Sequence, residues 1–325
     1  TIYLTNFTLR NGCDAALLSY SHLAGNLFNL TVSNSLFESN QGTSAGIMNI
    51  TQTSALQSIT VSLKNSQFIN NTVTSSNGSL LSIHGSNNCV VNVTAFNNNF
   101  TNNVASDNGG VIAIVAGSDS PLSMDIQDNN FPQNSATNGG AICIDIQDRG
   151  QVDLTLFINN FTMNTATQGG GVMAISTTND CILSVTFNES VMEYNEASGN
   201  GSIVSMAVGT NTIQTLVFDT NEIYHNLAAS GGVMALTMAS TSTQTITMSN
   251  NDVWNNTASN YGGVICGAAN VTLINNTFRG NTATEGAVLS LITWPDPLEV
   301  NMTGNTIRDS MSNGAKGTVV AQLAS

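Results

Sequence analysis

Charged residues are scarce in this sequence, and basic residues are the scarcest. Asp, Glu, Lys and Arg make up only 8% of the 325 residues, and six Lys and Arg against twenty Asp and Glu give a formal net charge of −14. An ordinary globular protein contains about 25% charged residues. Binding to nucleic acid or to anionic lipid depends on clustered Lys and Arg. The composition therefore excludes nucleic acid as an expected partner.

Long apolar runs and closely spaced cysteines are missing as well. No run approaches the ~18 apolar residues that cross a membrane, so no membrane span is predicted. The chain starts at Thr1 without a signal peptide, so we expect a processed product or a segment of a longer protein. No CxxC spacing occurs, and neither a metal site nor any other cofactor is predicted; the cysteines are Cys13, Cys89, Cys143, Cys181 and Cys266.

What the sequence does contain is an internal repeat. Each unit has an apolar anchor, usually an Asn three residues later, then a pair of small residues that is often Gly-Gly, and then a short apolar run. Successive anchors are 30 to 32 residues apart, except for the final spacings of 25 and 29. The anchors are Phe7, Phe37, Phe68, Phe100, Phe131, Phe161, Met192, Ile223, Val253, Phe278 and Ile307.

The residues before each anchor alternate between apolar and polar. In one unit, Leu154 and Leu156 lie seven and five residues before Phe161, with Asp153 and Thr155 beside them. Alternation with a period of two predicts a strand with one buried face. A second strand follows the glycines, and the abundant Asn, Ser, Thr and Gly are poor helix formers. Each unit is therefore predicted to hold two or three short strands and no helix.

One such unit cannot enclose a core, but stacked units can share one. Equivalent strands of successive units would pair in parallel, and parallel crossovers are overwhelmingly right-handed. We therefore predict an all-β fold, a right-handed parallel β-helix of about ten and a half coils, which spans residues 1–325 as a single domain. The recurring Asn is predicted to form hydrogen-bonded ladders along the axis. Cysteines that lie three or four coils apart are too distant for disulfides.

The two signals of the repeat resemble those of a known family. Phe131 and Asn134, followed by Gly139-Gly140-Ala141-Ile142, are similar to the Phe-x-x-Asn and Gly-Gly-Ala-Ile repeats of the chlamydial polymorphic outer-membrane proteins and of related right-handed parallel β-helix repeat proteins. The resemblance covers nearly the whole chain. It implies a secreted, surface-exposed passenger, often adhesive, and it carries over no functional residues.

The strand after the glycines predicts a surface for self-association. Alternation places the second and fourth residues of its apolar run inside and the first and third outside, yet the outer positions are also apolar or small. A long apolar surface implies a partner, here another copy of the chain or a covering element. The alternative is an exposed β-surface without a partner. The predicted association face consists of Val111, Ala113, Ala141, Cys143, Val172, Ala174, Val233, Ala235, Val264 and Cys266.

The two ends of the repeat suggest how copies could join. Neither end shows an amphipathic capping helix, a proline-rich plug or a charge cluster. Uncapped coils have open strand edges that template further pairing, and a head-to-tail contact that does not close generates a fibre. We therefore predict an extracellular or cell-surface structural protein that assembles with copies of itself into a filament. The alternative is a fragment whose caps lie outside it.

N-linked glycosylation is predicted at sequons that face outward. Three of them share one outer column and have a Thr two residues later, and three others directly precede an anchor. They are the expected acceptors if the source secretes the chain through a glycosylating pathway. The candidates are Asn6, Asn29, Asn92, Asn99, Asn160 and Asn270.

A carbohydrate-active enzyme is the alternative of a different class. Pectate-lyase-like and polygalacturonase-like enzymes share the parallel β-helix, and such chemistry needs clustered carboxylates. Asp125 and Asp153 are expected in adjacent coils on one outer face, about 8 Å apart. The even spacing of the anchors favours a non-enzymatic structural protein, and a surface adhesin passenger fragment is a further alternative. The other charged residues expected near this pair are Asp128, Asp145, Asp148 and Arg149.

Overall fold

β-Strands account for the regular structure of the chain. The computed structural model describes residues 1–13, 18–22, 27–43, 46–52, 58–75, 77–239, 241–293, 298–314 and 320–324. The first strands are β1 (Ile2–Thr5), β2 (Thr8–Arg10), β3 (Leu18–His22), β4 (Phe28–Ser33), β5 (Leu36–Glu38), β6 (Gln41–Gly42), β7 (Met48–Gln52), β8 (Ser58–Lys64), β9 (Gln67–Ile69), β10 (Thr72–Val73), β11 (Leu81–Gly85), β12 (Val90–Phe96), β13 (Asn99–Thr101), β14 (Val104–Ala105) and β15 (Ile112–Ala116).

The remaining strands continue the same pattern through the chain. The middle of the chain contains β16 (Pro121–Gln127), β17 (Asn130–Pro132), β18 (Ser135–Asn138), β19 (Ile142–Ile146), β20 (Gln151–Phe157), β21 (Asn160–Thr162), β22 (Thr165–Gly169), β23 (Met173–Thr177), β24 (Ile182–Asn188), β25 (Val191–Glu193), β26 (Glu196–Asn200), β27 (Val204–Val208), β28 (Ile213–Asp219), β29 (Glu222–Tyr224) and β30 (Leu227–Ser230). The last are β31 (Met234–Met238), β32 (Thr243–Ser249), β33 (Asp252–Trp254), β34 (Thr257–Ala258), β35 (Ile265–Gly267), β36 (Asn270–Ile274), β37 (Thr277–Arg279), β38 (Thr282–Ala283), β39 (Leu289–Thr293), β40 (Val300–Thr303), β41 (Thr306–Arg308), β42 (Met311–Ser312) and β43 (Val320–Ala324).

These strands form four parallel sheets that run the length of the stack. Sheet A joins the eleven strands β1, β4, β8 and every fourth strand up to β40; sheet B likewise joins eleven from β2 and β5 to β41. Sheet D joins ten short strands from β6 to β42, and sheet C eleven from β3 to β43. The chain visits them in the order A, B, D, C, so each strand between the two ends of a sheet pairs with its equivalents in the preceding and following coils.

This arrangement confirms the predicted all-β parallel solenoid. The number of turns differs slightly from the prediction: the stack makes about nine turns of about 31 residues, against the ten and a half that we predicted. The four sheets enclose one apolar core along the axis. In β20 the side chains of Val152, Leu154 and Leu156 point inward and are buried, whereas Asp153 and Thr155 point outward.

The anchors form a continuous stack inside sheet B. Phe37, Phe68, Phe100, Phe131 and Phe161 are each 0% exposed. Their ring centroids are 5.2, 5.1, 4.7 and 4.8 Å apart, and each neighbouring pair is stacked. Because parallel strands lie about 4.8 Å apart, identical side chains in register meet face over face. The predicted role as core residues is confirmed for the nine anchors from Phe37 to Phe278, which are all 0% exposed, whereas Phe7 and Ile307 are only partly buried.

The recurring Asn forms the predicted ladder. Nδ2 of Asn164 donates to the carbonyl of Phe131 at 2.7 Å and to Oδ1 of Asn195 at 3.0 Å. Its Oδ1 accepts from the backbone N–H and from Nδ2 of Asn134, each at 3.0 Å. The same bonds recur in the neighbouring coils. The buried backbone of the turn between sheets B and D is thus satisfied by side chains.

A second ladder, which we did not predict, lies at the turn between sheets A and B. Asn98, Asn129 and Asn159 are nearly fully buried there, and each Nδ2 donates to a backbone carbonyl of sheet A in the preceding coil. Serines take this position in some coils: Oγ of Ser190 accepts from the backbone N–H of Asn159 and donates to the carbonyl of Asn188 in its own coil. This ladder holds the turn between sheets A and B in place, and the same turn lines a polar groove.

The glycine pair permits close packing between coils. A Cβ atom on Gly140 would lie 2.1 Å from the carbonyl oxygen of Gly171 and 2.6 Å from that of Thr165. Gly139 has a φ of +62°, a conformation that residues with a side chain rarely adopt. The first glycine therefore supplies the bend, and the second lets adjacent coils approach.

The pairing of the first coil with the second differs from the prediction by two residues. Leu9, not Phe7, lies opposite Phe37, and Leu4 lies opposite Val32. The shift of two residues preserves the alternation of inner and outer positions, which is why the pattern alone did not reveal it. Phe7 instead donates its backbone N–H to Oγ of Ser35 at the turn between sheets A and B.

Candidate functional site

Half of the predicted association face lies inside the protein. The prediction that these residues point outward is wrong, because alternation does not continue across a corner. The backbone N–H groups of Val111 and Ile112 both donate to the carbonyl of Ala141, and the strand begins only at Ile112. The residue after the glycines is therefore a corner residue directed into the core. Five predicted face residues are 0% exposed and belong to the core: Val111, Ala141, Val172, Val233 and Val264.

The other half lies on the outer face of sheet C but is largely covered by the chain itself. Ala113 and Ala235 are 5% exposed although they lie outside the core cluster. The loop that precedes each strand passes over this column: a Cβ on Gly139 would lie 3.1 Å from the backbone nitrogen of Ala174. Only small side chains fit beneath such a loop. The predicted binding of another copy through Ala113, Cys143, Ala174, Ala235 and Cys266 stays a prediction.

Two cysteines in this column are chemically shielded: Cys266 is buried, and Cys143 is partly buried. Burial raises the pKa of Cys143 to about 12, and the negative charges of Asp145 and Asp107 add to the effect. Burial likewise raises the pKa of Cys266 to about 11. All five cysteines are free, and Cys13 is exposed. The two thiols in the column are therefore packing residues, since the thiolate is the reactive form.

We expect iodoacetamide at pH 8 to alkylate Cys13 in the folded protein and to leave Cys143 and Cys266 unmodified. At that pH a thiol with a pKa of about 12 is ionised in only about one molecule in ten thousand. Peptide mass spectrometry after timed quenching measures the labelling at each position. Labelling in guanidinium chloride is the control, in which all five must react. Labelling of Cys143 in the folded protein at the rate of Cys13 would contradict the burial.

The carboxylates considered for an enzyme do not converge. Asp125 lies opposite Thr155, and Asp153 lies opposite Ser123, so the two occupy different outer columns of sheet A. Asp128 lies at the turn between sheets A and B, and Asp145 lies on sheet C. Asp145 accepts a hydrogen bond from Ser176, and Asp148 lies at the turn between sheets C and A. The described residues contain no group of three or more His, Cys, Asp or Glu that could hold a metal ion.

The remaining charged candidate, Arg149, forms a bidentate ion pair. Its Nε and Nη2 bond to the two carboxylate oxygens of Asp119 at 2.7 and 2.6 Å. These hydrogen bonds hold the pKa of Asp119 below its usual range. Hydrogen bonds from Thr178 and from the backbone of Asn179 likewise lower the pKa of Asp148. These groups stabilise the turns between sheets C and A, where the chain needs local polar partners.

The sequon residues are at the surface, in three columns rather than two. Asn29 and Asn92 share one outer column of sheet A through Thr60, and Asn270 lies opposite Thr245 in the same column. The remaining three divide between two positions: Asn99 and Asn160 share a column of sheet B. Asn6 does not join them, because of the register shift in the first coil, and lies at the preceding turn with a φ of +53°.

A polar groove follows the turn between sheets A and B. It has a volume of about 620 Å³ and is lined by the same three positions in four successive coils and by two of them, Glu189 and Val191, in a fifth. Its rim on the side of sheet A consists of residues with positive φ, including Asn97, Asp128 and Ile158. The lining residues include no Lys or Arg; they are Asn65, Ser66, Gln67, Asn97, Asn98, Asn99, Asp128, Asn129, Asn130, Ile158, Asn159, Asn160, Glu189 and Val191.

An aromatic ladder lies farther along the outer side of sheet B. The rings of Tyr224 and Trp254 stack with centroids 4.3 Å apart, and those of Tyr194 and His225 stack at 4.9 Å. The guanidinium of Arg279 lies 4.9 Å from the ring of Trp254. Because the rings cover each other's faces, the ladder presents ring edges to solvent. It joins consecutive coils in the way the Phe stack does inside.

Sequence reasoning missed both the groove and the ladder. The signal for the ladder was the coil spacing itself, since Tyr194 and His225 are 31 residues apart and Tyr224 and Trp254 are 30 apart. Burial raises the pKa of Tyr224 to about 12, and a hydrogen bond with Glu193 acts in the same direction. The groove had no comparable signal, because its shape depends on the angle between two sheets.

Comparisons with protein-family models, with curated proteins and with solved structures found no match for this chain. The fold and the repeat therefore define it only as a protein of the β-solenoid class with buried Asn ladders. The described residues include no helix that is long and apolar enough to cross a membrane.

Proposed function

We propose that this chain is a non-enzymatic extracellular structural protein whose solenoids associate end to end with copies of themselves. The observation that carries the proposal is that the same parallel sheets join neighbouring coils throughout the stack, so a coil of a second copy can be added by the same pairing. The apolar side chains of the first described coil show what such a coil would cover. Ile2, Leu4 and Leu9 occupy core columns and pack against the core, but they are only partly buried. Leu30 and Val32, which continue two of those columns, are 1% and 0% exposed.

A further coil placed on this end would cover the apolar side chains and pair with the open edges of β1 and β2. Both strands have a neighbour on one side only among the described residues. Open parallel edges template further strands, and apolar surface drives contact. In this proposal a second copy of the chain supplies that coil. The repetition of the contact would generate a filament, because a head-to-tail interface of this kind does not close.

The extracellular part of the proposal draws on composition and on the repeat. Few charges, many Asn, Ser and Thr, and surface sequons suit a secreted chain that can carry N-linked glycans. The resemblance to the repeats of the chlamydial outer-membrane proteins points the same way, and the adhesin passenger remains the alternative within it. The dispersed carboxylates and the even coils support a scaffold over a carbohydrate-active enzyme.

We expect the purified chain to form rods whose length increases with concentration, visible by negative-stain electron microscopy and as rising mass in light scattering. Leu4→Asp should abolish growth, because association would bury an unpaired carboxylate. The matched control is Tyr3→Asp, which adds the same charge to the same strand at a side chain that is 71% exposed on the outer face. It should leave growth unchanged.

Two outcomes would refute end-to-end association. The first is a wild-type chain that stays monomeric over the whole concentration range. The second is assembly of the Leu4→Asp chain at the wild-type concentration, which would indicate side-by-side contacts. Far-UV circular dichroism of each variant establishes that the solenoid itself is intact.

A further inference from the structure

A row of carboxamide side chains lies on one wall of the polar groove. Gln67, Asn99, Asn130 and Asn160 are the first residues of β9, β13, β17 and β21 and lie opposite one another in register. We call these four residues the amide row. Parallel pairing spaces them about 4.8 Å apart along the axis. The groove thus presents one chemical group at a fixed repeat.

Three side-chain amides of this row have N–H groups that are free to donate to a ligand. Oδ1 of Asn99 accepts a hydrogen bond from Thr101 at 2.8 Å, and Oδ1 of Asn160 accepts one from Thr162 at 2.7 Å. These bonds orient the two amides. Among the described residues, Nδ2 of Asn99, Asn130 and Asn160 donates to no protein group. An oriented, unused donor in a groove is a recognition element for an acceptor.

The deeper amides of the same groove are occupied. Nδ2 of Asn98, Asn129 and Asn159 donates to backbone carbonyls of sheet A, and all three residues are buried. The floor is therefore held rigidly by the second ladder, while the wall offers free donors. A ligand that binds here meets a preorganised surface, which lowers the entropy lost on binding.

Charge in the groove selects the ligand class. Asp128 and Glu189 line it, no Lys or Arg does, and the chain carries a net charge of −14. An anionic chain such as a polyuronate or a nucleic acid would be repelled. The two carboxylates can accept hydrogen bonds from hydroxyls, and Ile158, which is 45% exposed, offers an apolar contact. Neutral groups with both hydroxyl donors and acceptors fit all three features.

The groove is also extended. It crosses five successive coils, from the one containing Asn65 to the one containing Glu189, and the first four of them contribute the same three positions. We propose that this groove binds a neutral oligosaccharide chain laid along the solenoid axis. Its hydroxyls accept from the amide row and donate to Asp128 and Glu189. The inference does not rest on the end-to-end association proposed above.

The direct test uses protein from a host without N-glycosylation, because a glycan on Asn99 or Asn160 would fill the groove. Native gels cast with glucomannan, galactomannan, mixed-linkage β-glucan or dextran measure retardation by neutral polysaccharides. A gel with polygalacturonate is the anionic comparator. We expect retardation in at least one neutral gel and none with polygalacturonate. Failure to bind any neutral polysaccharide, or binding of the anionic one alone, overturns the proposal.

Matched triple variants locate the site. Asn99→Asp, Asn130→Asp and Asn160→Asp together remove the three amide donors but retain acceptor oxygens for Thr101 and Thr162. Three lost hydrogen bonds should weaken binding about a hundredfold. The control combines Asn29→Asp, Asn92→Asp and Asn270→Asp, which add the same charge on sheet A. It should bind like the wild type.

Two results with these variants would contradict the site. Wild-type affinity of the groove variant places the ligand elsewhere, and equal loss in both triple variants shows a general effect of charge. If the groove variant fails to give the wild-type circular dichroism spectrum, the single change Asn130→Asp is measured instead. Asn130 makes no side-chain hydrogen bond to a described residue, so its replacement should preserve the fold and weaken binding about tenfold.

Discussion

Replacing Phe131 with alanine will lower the free energy of unfolding by about 3–5 kcal/mol, the range for a fully buried Phe-to-Ala change. The ring is 0% exposed and stacks on Phe100 at 4.7 Å and on Phe161 at 4.8 Å. The change removes apolar contacts in its own coil and also opens a gap in the stack. The coils above and below cannot collapse into it, because their strands are paired in register.

Equilibrium unfolding in guanidinium chloride, followed by circular dichroism, measures this loss. Repeat proteins can unfold in segments, so amide hydrogen exchange in the neighbouring coils should accompany the measurement. The matched control is Phe96→Ala. Phe96 is 46% exposed on the outer side of sheet A and should cost less than about 1 kcal/mol. Equal losses of unfolding free energy for the two variants would mean that a stacked, buried ring contributes no more to stability than an exposed one.

The core of this fold was predictable because identical positions recur. A parallel solenoid places residues one coil apart in contact, so a column read from the sequence is a column in space. Leu154 and Leu156 before Phe161, and Asn164 after it, were therefore assigned correctly. A register shift of two residues keeps the alternation of inner and outer positions. The sequence pattern therefore did not distinguish Phe7 from Leu9 as the residue opposite Phe37.

Corners were less predictable than strands. Val111 follows a glycine pair and precedes a strand, and alternation counted through the bend assigned it to the wrong side. Its direction depends on backbone dihedrals at Gly109, whose φ is +65°. A sequence pattern shows that a glycine permits such a bend but not how many residues the bend uses. For that reason the prediction placed Val111 and its equivalents on the outer face of sheet C.

The groove could not be predicted from the sequence, because its shape also depends on the backbone conformation of a turn. Asn98 and Asn99 are adjacent residues of the same type, yet one is buried in a ladder and the other lies on the groove wall with a free donor. Composition cannot separate these roles. What separates them is the turn between sheets A and B, where Asn97 has positive φ and directs its two successors to opposite sides of the backbone.

The Asn ladder leads to the second large effect that we expect. Asn164→Ala should destabilise the protein by about 3–5 kcal/mol, because it removes one hydrogen bond from each of four buried groups, at about 1 kcal/mol each. The groups are the carbonyl of Phe131, Oδ1 of Asn195, and the backbone N–H and Nδ2 of Asn134. Asn160→Ala, an exposed change in the same coil, is the control and should cost less than about 0.5 kcal/mol.

Asn164→Asp separates lost hydrogen bonds from lost volume, since Asp and Asn have nearly the same size. A carboxylate at this position would face the carbonyl of Phe131 and Oδ1 of Asn195, two acceptors, in a buried site. Burial raises a carboxyl pKa above its unfolded value of about 3.9, so the acid form is favoured in the folded state.

The sign of the pH dependence follows from that shift. A raised folded-state pKa means that the folded chain holds the proton more tightly, so stability is greatest below the unfolded pKa and falls as the pH rises through the folded one. Unfolding of the Asn164→Asp chain should therefore require less denaturant at pH 8 than at pH 4, relative to wild type at the same pH. Asn160→Asp should show no such loss. An Asn164→Asp chain as stable as wild type at pH 8 would mean that the ladder donors contribute little, and that stacking of the apolar core alone holds the coils in register.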